Sequence, residues 1–335
     1  MLKKRIGLLF LVVALLQACK KDQSVDSSSS GTSSSKSSDS VAVLKDSAKV
    51  EAKESLPPAE LEMGFYNAWV FPKERKAKDS IFQLFNKKYS EEERYAILAL
   101  NRLDSKHKYN ADTLVVPAKV DPTLMEYAPF PKQLDVLSGV NKFVVFSYPI
   151  QAFAVYSNGT LEKWGPTSMG TKAKPTRTGL TYANWKKELA ISTVKSEWKL
   201  PYNFNIFNLD GIGWHQYDLP GYPASHSCLR LLKDDAIYLY KYADTWILNP
   251  GGATTKARGT AVLVYGSYPW GKRKPWRNLL SDPNSNNISI EEMTKMIEPN
   301  IDKILAEQEN RIKVSDSIKA AKASAVKDVS PAPEG

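Results

Sequence analysis

His215-Gln216-Tyr217-Asp218-Leu219-Pro220-Gly221-Tyr222-Pro223-Ala224-Ser225-His226-Ser227-Cys228-Leu229-Arg230-Leu231 holds two of the chain's three histidines and one of its two cysteines. A thiol is a weak nucleophile until a base takes its proton or a positive neighbour lowers its pKa. Cys228 has His226 two residues before it and His215 thirteen residues before it. Between them, Leu219-Pro220-Gly221-Tyr222-Pro223 is a turn-rich segment that can fold the chain back on itself. The bland alternative is an inert buried cysteine beside loop histidines. The stretch lacks metal-ligand spacing, because Cys228 has no partner of the right kind nearby. No phosphate-binding glycine loop occurs in the chain, so neither metal nor cofactor is expected.

The segments around this stretch read as mostly β. Phe143–Phe146 and Ala152–Tyr156 flank a Tyr-Pro turn, Asn158-Gly159 is a hairpin signal, and Val262–Tyr265 is a late strand. The best helix runs from Asp234 to Tyr242, with acids in its first turn and apolar residues at 3–4 spacing. Ile247 to Arg258 reads as an insertion before the last strand.

The His/Cys block resembles the signature of the L,D-transpeptidase catalytic domain family: a His, a variable loop, then Ser/Thr-His-Gly-Cys, an apolar residue, and Arg or Asn. Here these are His215 and Ser225-His226-Ser227-Cys228-Leu229-Arg230, with the short loop Leu219–Ala224 similar to one subgroup. Further similarities are Phe143–Gly159 to the opening hairpin, Pro175–Gly179 to a Thr-Pro-x-Gly turn, Leu200–Phe204 to the strand before the histidine, and Gly259–Val262 to the closing strand. The resemblance covers about residues 141 to 268. It implies a mainly β domain, a β-sandwich or barrel with a helix beside the nucleophile. It also implies Cys228 as nucleophile, His215 as base, the Gln216 carbonyl as its orienting group, and the Ser227 and Cys228 N–H groups as oxyanion donors. His226, Arg230 and Tyr222 are the expected substrate contacts. The family's Gly before the cysteine is Ser227 here. Gly permits backbone angles that Ser disfavours, so the turn is expected to have altered to angles that suit a side chain.

The implied reaction is acyl transfer on peptidoglycan tetrapeptide stems through a thioester, giving 3–3 cross-links. An L,D-carboxypeptidase of the same fold, or a non-catalytic peptidoglycan-binding lipoprotein, are the alternatives.

The ends of the chain bear on compartment. Lys3-Lys4-Arg5 followed by the apolar Ile6–Leu16 is the pattern of a secretory signal, too short to span a bilayer. Leu16-Gln17-Ala18-Cys19 resembles a bacterial lipobox, with Cys19 the lipid-bearing N-terminus. Lipid on Cys19 would leave Cys228 a free thiol without a disulfide partner. A periplasmic, lipid-anchored protein, at the outer membrane and monomeric, is the expectation. Removing residues 1–18 takes away Lys3, Lys4 and Arg5 and no acid, so the formal net charge falls from +10 to +7. That excess suits anionic wall polymer or headgroups, or simply solubility. No nucleic-acid motif is present.

The expected organisation is a signal peptide (1–18), a disordered Ser-rich tether (19–57), a small α+β module (58–125), the catalytic domain (135–270), and a helical to disordered tail (286–335). In the small module, Asp79–Phe85 and Ala96–Leu103 read as helices and Asp112–Pro117 as a strand. Their order resembles the later part of a LysM repeat, with a helical spacer as the alternative. His107 reads as a solvent-facing loop residue. In the tail, a capped start at Ile288–Glu292 precedes a helical pattern interrupted by Pro299, and order is expected to fade after about Ile318.

Overall fold

The computed structural model describes residues 60–61, 64–192 and 194–327. The signal segment, Cys19 and the Ser-rich tether lie outside the described residues. Among the described residues, no helix is long and apolar enough to cross a membrane.

The described residues begin with a module of β1 (Glu60–Leu61), β2 (Tyr66–Val70), α1 (Arg75–Lys88), α2 (Glu91–Leu100) and β3 (Thr113–Pro117), with antiparallel pairing in the order β1-β2-β3. Each helix is fixed by its ends. The Glu74 carboxylate accepts from the N–H groups of Lys76 and Ala77, and Lys87 and Lys88 face the negative end of the α1 dipole. Ser90 and Glu93 form a reciprocal capping box on α2. Trp69, Phe82, Phe85, Ile97 and Leu114 form the module's own core. α2 stops at Leu100 rather than at Leu103, because Asn101 turns its amide to β3. Asn101 Nδ2 donates to Val115 O at 2.8 Å and its Oδ1 accepts from Val115 N at 2.9 Å.

The region after the module is mainly β, as expected, and forms one curled sheet. Its strands are β4 (Phe143–Ser147), β5 (Ala152–Ser157), β6 (Thr160–Ser168), β7 (Gly179–Tyr182), β8 (Lys186–Ile191), β9 (Lys199–Phe207), β10 (Ile212–Gln216), β11 (Leu229–Leu231) and, after α3 (Lys233–Tyr242), β14 (Ala261–Tyr265). The nine pair in the order β7-β14-β4-β5-β6-β11-β10-β9-β8. The curl brings β7 back beside β9, where Thr181 Oγ1 donates to Ile206 O. Strand twist accumulates in one direction, which is what lets a sheet this wide roll up. α3 packs its Ala236 and Leu239 into a core with Phe146, Phe204, Trp214 and Leu231. The insertion is a small hairpin of β12 (Ile247–Leu248) and β13 (Thr255–Ala257).

The tail has the expected capped start and the break at Pro299, but its helix runs further than expected. α4 (Ile290–Ile297), capped by Ser289, leads through a 3-10 turn at Glu298–Asn300 into α5 (Ile301–Lys327). The helix continues past Ile318, because the run of Ala and Lys there has high helix propensity. Pro299 sits in the turn, where its missing N–H costs nothing.

Candidate active site

β10 and β11 are parallel neighbours, with Trp214 opposite Leu229 and His215 opposite Arg230. Parallel strands need a crossover of about a dozen residues, and Tyr217–Cys228 is that crossover. It returns the chain to the level of Gly213, so residues far apart in sequence become neighbours. Strand alternation then puts Gly213, His215, Cys228 and Arg230 on one face of the sheet. That face opens into a cleft of about 580 Å³ lined by His215, His226, Ser227, Cys228, Arg230 and Trp198, among others.

His215 is buried, 3% exposed. Its Nδ1 lies 3.0 Å from the Gln216 carbonyl oxygen. A carbonyl only accepts, so Nδ1 carries the hydrogen and Nε2 is left as the basic nitrogen. Burial pushes the imidazole down to about 4, against the raising effect of that carbonyl bond, with Arg230 lowering it further. Cys228 is a free, half-buried thiol. Burial raises its pKa, while the Gly213 N–H and the Arg230 charge act in the opposite sense. Near neutral pH the pair is therefore a thiol and a neutral imidazole.

The turn before the nucleophile keeps a left-handed backbone, with Ser227 at φ 86°. This corrects the expectation that the turn had changed to suit a side chain. The neighbouring contacts hold it: Ser225 N donates to Met169 O at 3.0 Å, Thr171 N donates to Ser225 O at 3.0 Å, and the Ser225 hydroxyl donates to the Cys228 carbonyl. Ser227 Oγ reaches only Lys174 O, at 3.3 Å.

Arg230 stacks its guanidinium 4.6 Å from the centre of the Tyr217 ring and donates to Asp218 O at 3.4 Å. Burial lowers its pKa. His226 is exposed and meets Trp198 edge to face, ring centres 4.9 Å apart. Tyr222 is brought elsewhere. It is exposed, does not line the cleft, and its ring faces Lys274 Nζ at 5.9 Å.

The crossover is held from outside the sheet. Asp104 N donates to Leu219 O at 3.0 Å, and Leu219 N donates to Asp104 Oδ2 at 2.7 Å. Asn110 Nδ2 donates to Pro220 O at 3.1 Å. Gly221, at φ 84°, lies so close to Leu103 that a Cβ there would come within 2.9 Å of it. The module after α2 is thus a clamp on the segment that separates His215 from Cys228. His107 belongs to it rather than to solvent: it is half-buried, with Nδ1 2.9 Å from Asp104 Oδ1. Asp104, His107 and Asp218 lie within metal-ligating reach of one another. However, Lys106 pairs with Asp218 at 3.0 Å, and the Asp104 oxygens are engaged by the N–H groups of Leu219 and His107.

Sequence reasoning missed four groups: Gly213, Tyr217, Trp198 and Asp104. Only Tyr217 carried a local signal, being within the quoted block.

Fold and site together put a free thiol and a buried imidazole side by side on one face of a curled β-sheet. Residues 141–264 match the profile of the YkuD family, the L,D-transpeptidase catalytic domain. Solved structures that it resembles include an L,D-transpeptidase (Yku) from Stackebrandtia nassauensis, at 25% identity and TM-score 0.32, covering 38% of this chain and 57% of that one. An L,D-transpeptidase from Mycobacterium tuberculosis H37Rv is 22% identical, TM-score 0.30, covering 38% and 58%. One from Mycobacterium smegmatis is 18% identical, TM-score 0.30, covering 38% and 59%. The chain thus spans less than two thirds of the length of these structures. No curated protein matches it.

Proposed function

We propose that the protein is a cysteine-dependent L,D-transpeptidase acting on peptidoglycan tetrapeptide stems. The observation that carries this reading is the half-buried Cys228 thiol on the same sheet face as a buried, neutral His215 whose Nδ1 is held by the Gln216 carbonyl. In the forward step, His215 Nε2 takes the thiol proton as sulfur attacks the carbonyl of the third residue of the stem. The Ser227 and Cys228 N–H groups face the oxyanion. The C–N bond to the terminal residue breaks, and the imidazolium returns its proton to the leaving amine. An amine of a second stem then attacks the thioester, His215 accepts its proton, and the thiolate leaves and is reprotonated. Arg230 and His226 supply contacts for the two stems along the cleft.

The same reading places the protein on the periplasmic face of a membrane through lipid on Cys19. The β–α–α–β module serves as a LysM-like wall contact that also braces the crossover.

Tetrapeptide stems incubated with the full chain should lose their terminal residue and yield a cross-linked dimer, detected by mass spectrometry. The intact protein should gain a Cys228 adduct with a carbapenem. Loss of the terminal residue without a dimer would make it an L,D-carboxypeptidase. An unreactive Cys228 would leave only wall binding.

A further inference from the structure

Arg102 follows α2 with a left-handed backbone, φ 60°, and is 1% exposed. Its Nε donates to Ile150 O at 3.0 Å and its Nη1 to Leu100 O at 2.5 Å. The guanidinium lies 5.0 Å from the Trp276 ring centre and 5.8 Å from that of Trp164. No described carboxylate pairs with it. The groups whose charge would favour the guanidinium are the phenols of Tyr66 and Tyr268. Both phenols are raised by burial, Tyr66 to about 12, so both are neutral near pH 7. A buried cation without a counter-charge is costly, and such groups are normally paired. The cost shows in the Arg102 side chain itself, which burial pushes down to about 9.

Arg102 lines a cavity of about 310 Å³, together with Tyr66, Tyr127, Trp164 and Asn286. This cavity shares no lining residue with the Cys228 cleft. Asn286 is 6% exposed, and its Oδ1 has no hydrogen-bond partner among the described residues. Tyr127 is already committed, donating to Lys119 O and accepting from Asp121 N. Glu126 lines the same cavity and is exposed. The pocket therefore offers a buried cation, a buried acceptor that wants an N–H donor, aromatic walls, and an acid at its exposed edge. The volume is at the lower end of ordinary ligand sites.

We propose that this cavity binds a small carboxylate that carries an N–H donor beside it, such as an amino acid or a peptide C-terminus. The carboxylate pairs with Arg102, the N–H donates to Asn286 Oδ1, and an ammonium group, where present, faces Glu126. The site lies where the module, β6 and the segment after the sheet meet, so occupancy would brace the same module that clamps the crossover. The inference does not depend on the chemistry at Cys228.

The test uses the full chain, with melting temperature and calorimetric titration against glycine, L- and D-alanine, alanyl-alanine, acetate and sodium chloride at matched ionic strength. A ligand that binds only the folded state raises the melting temperature saturably, by several degrees at about one hundred times Kd. Glycine, alanine or alanyl-alanine should do so, with acetate and chloride much weaker. Tighter binding of the dipeptide would point to peptide ends, and tighter binding of the free amino acids to a metabolite. Asn286→Leu should weaken binding by roughly tenfold or more, as the loss of one buried hydrogen bond implies. It should leave carbapenem acylation of Cys228 unchanged. Arg102→Met should abolish binding, and Tyr66→Phe provides a milder variant should that protein not fold. The proposal is overturned if no probe binds below roughly 10 mM, if acetate or chloride matches glycine, or if Asn286→Leu and Tyr66→Phe both bind as the wild type does.

Discussion

Replacing Ser227 by Gly tests the backbone of the nucleophile turn. Ser227 sits at φ 86°, a region in which a side chain costs about 1–2 kcal/mol. Its hydroxyl offers little in return, since the contact to Lys174 O is 3.3 Å and exposed. Gly brings an opposing cost of about 0.4–1 kcal/mol, because it frees the unfolded chain. The balance favours Gly by roughly 0.5–1 kcal/mol, which for a protein of this size raises the melting temperature by about 2–4 °C per kcal/mol. The φ value is kept, so the Ser227 and Cys228 N–H groups keep their direction and acylation should be unchanged or faster. Thermal unfolding measured alongside stopped-flow acylation by a carbapenem decides the matter. A variant that melts lower, or acylates roughly tenfold slower (about 1.4 kcal/mol of barrier), would refute the argument. The hydroxyl would then be taking part in proton transfer or oxyanion binding.

Cys228→Ala should remove acylation by roughly 10³-fold or more while leaving circular dichroism unchanged, since the nucleophile and not the packing is lost. His215→Ala should slow acylation by roughly 10²–10⁴-fold, and His226→Ala, on an exposed ring, by far less; the reverse order in stopped-flow traces would move the base to His226. With His215 pushed down to about 4, the acid limb of the acylation profile should fall near pH 4; a limb near 6.5 would contradict the buried imidazole. The stability sign follows from the same shift: the unfolded imidazole, near 6.5, takes its proton before the folded one. Stability is therefore lost as pH falls from about 6.5 to about 4, by roughly 3 kcal/mol in total. Asp235, raised by burial to about 6, works in the opposite direction, so denaturant curves of wild type and His215→Gln should be subtracted pH by pH; equal slopes would remove the claim. Asp104→Ala should cost about 1.5–3 kcal/mol for its charge-assisted bond to Leu219; it should also speed hydrogen exchange in Tyr217–Ala224, and unchanged exchange would show the clamp to be dispensable.

The candidate centre was legible because its residue types are scarce. One free thiol, two nearby histidines and a proline-rich turn leave few ways to arrange a nucleophile and a base. The strands and α3 were legible for a similar reason: β-branched runs and a 3–4 pattern with leading acids are local signals. What escaped depends on register. Gly213 meets Cys228 only because β10 and β11 run parallel with Trp214 opposite Leu229, and nothing in the residues near Gly213 announces that pairing. Trp198 reaches His226 from the turn between β8 and β9, more than twenty-five positions away. Tyr222 shows the opposite failure. It stands inside the specific block, yet the turn at Gly221 directs it to Lys274 and away from the cleft.

Asn101-Arg102-Leu103-Asp104 shows why the small module cannot be treated as a separate attachment. Its four side chains hold three different parts of the fold. Asn101 closes the module on β3, and Arg102 reaches Ile150 at the turn between β4 and β5. Leu103 packs on Gly221, and Asp104 holds Leu219. The left-handed φ of Arg102 makes this divergence feasible, by breaking α2 and sending successive side chains in unrelated directions. A helix carried on to Leu103 would have placed Arg102 and Leu103 on helical faces and left the crossover unbraced. The strain at Arg102 is thus spent on joining the module to the segment between base and nucleophile. Removing the module should therefore impair the cleft itself, and not only any contact the module makes with the wall.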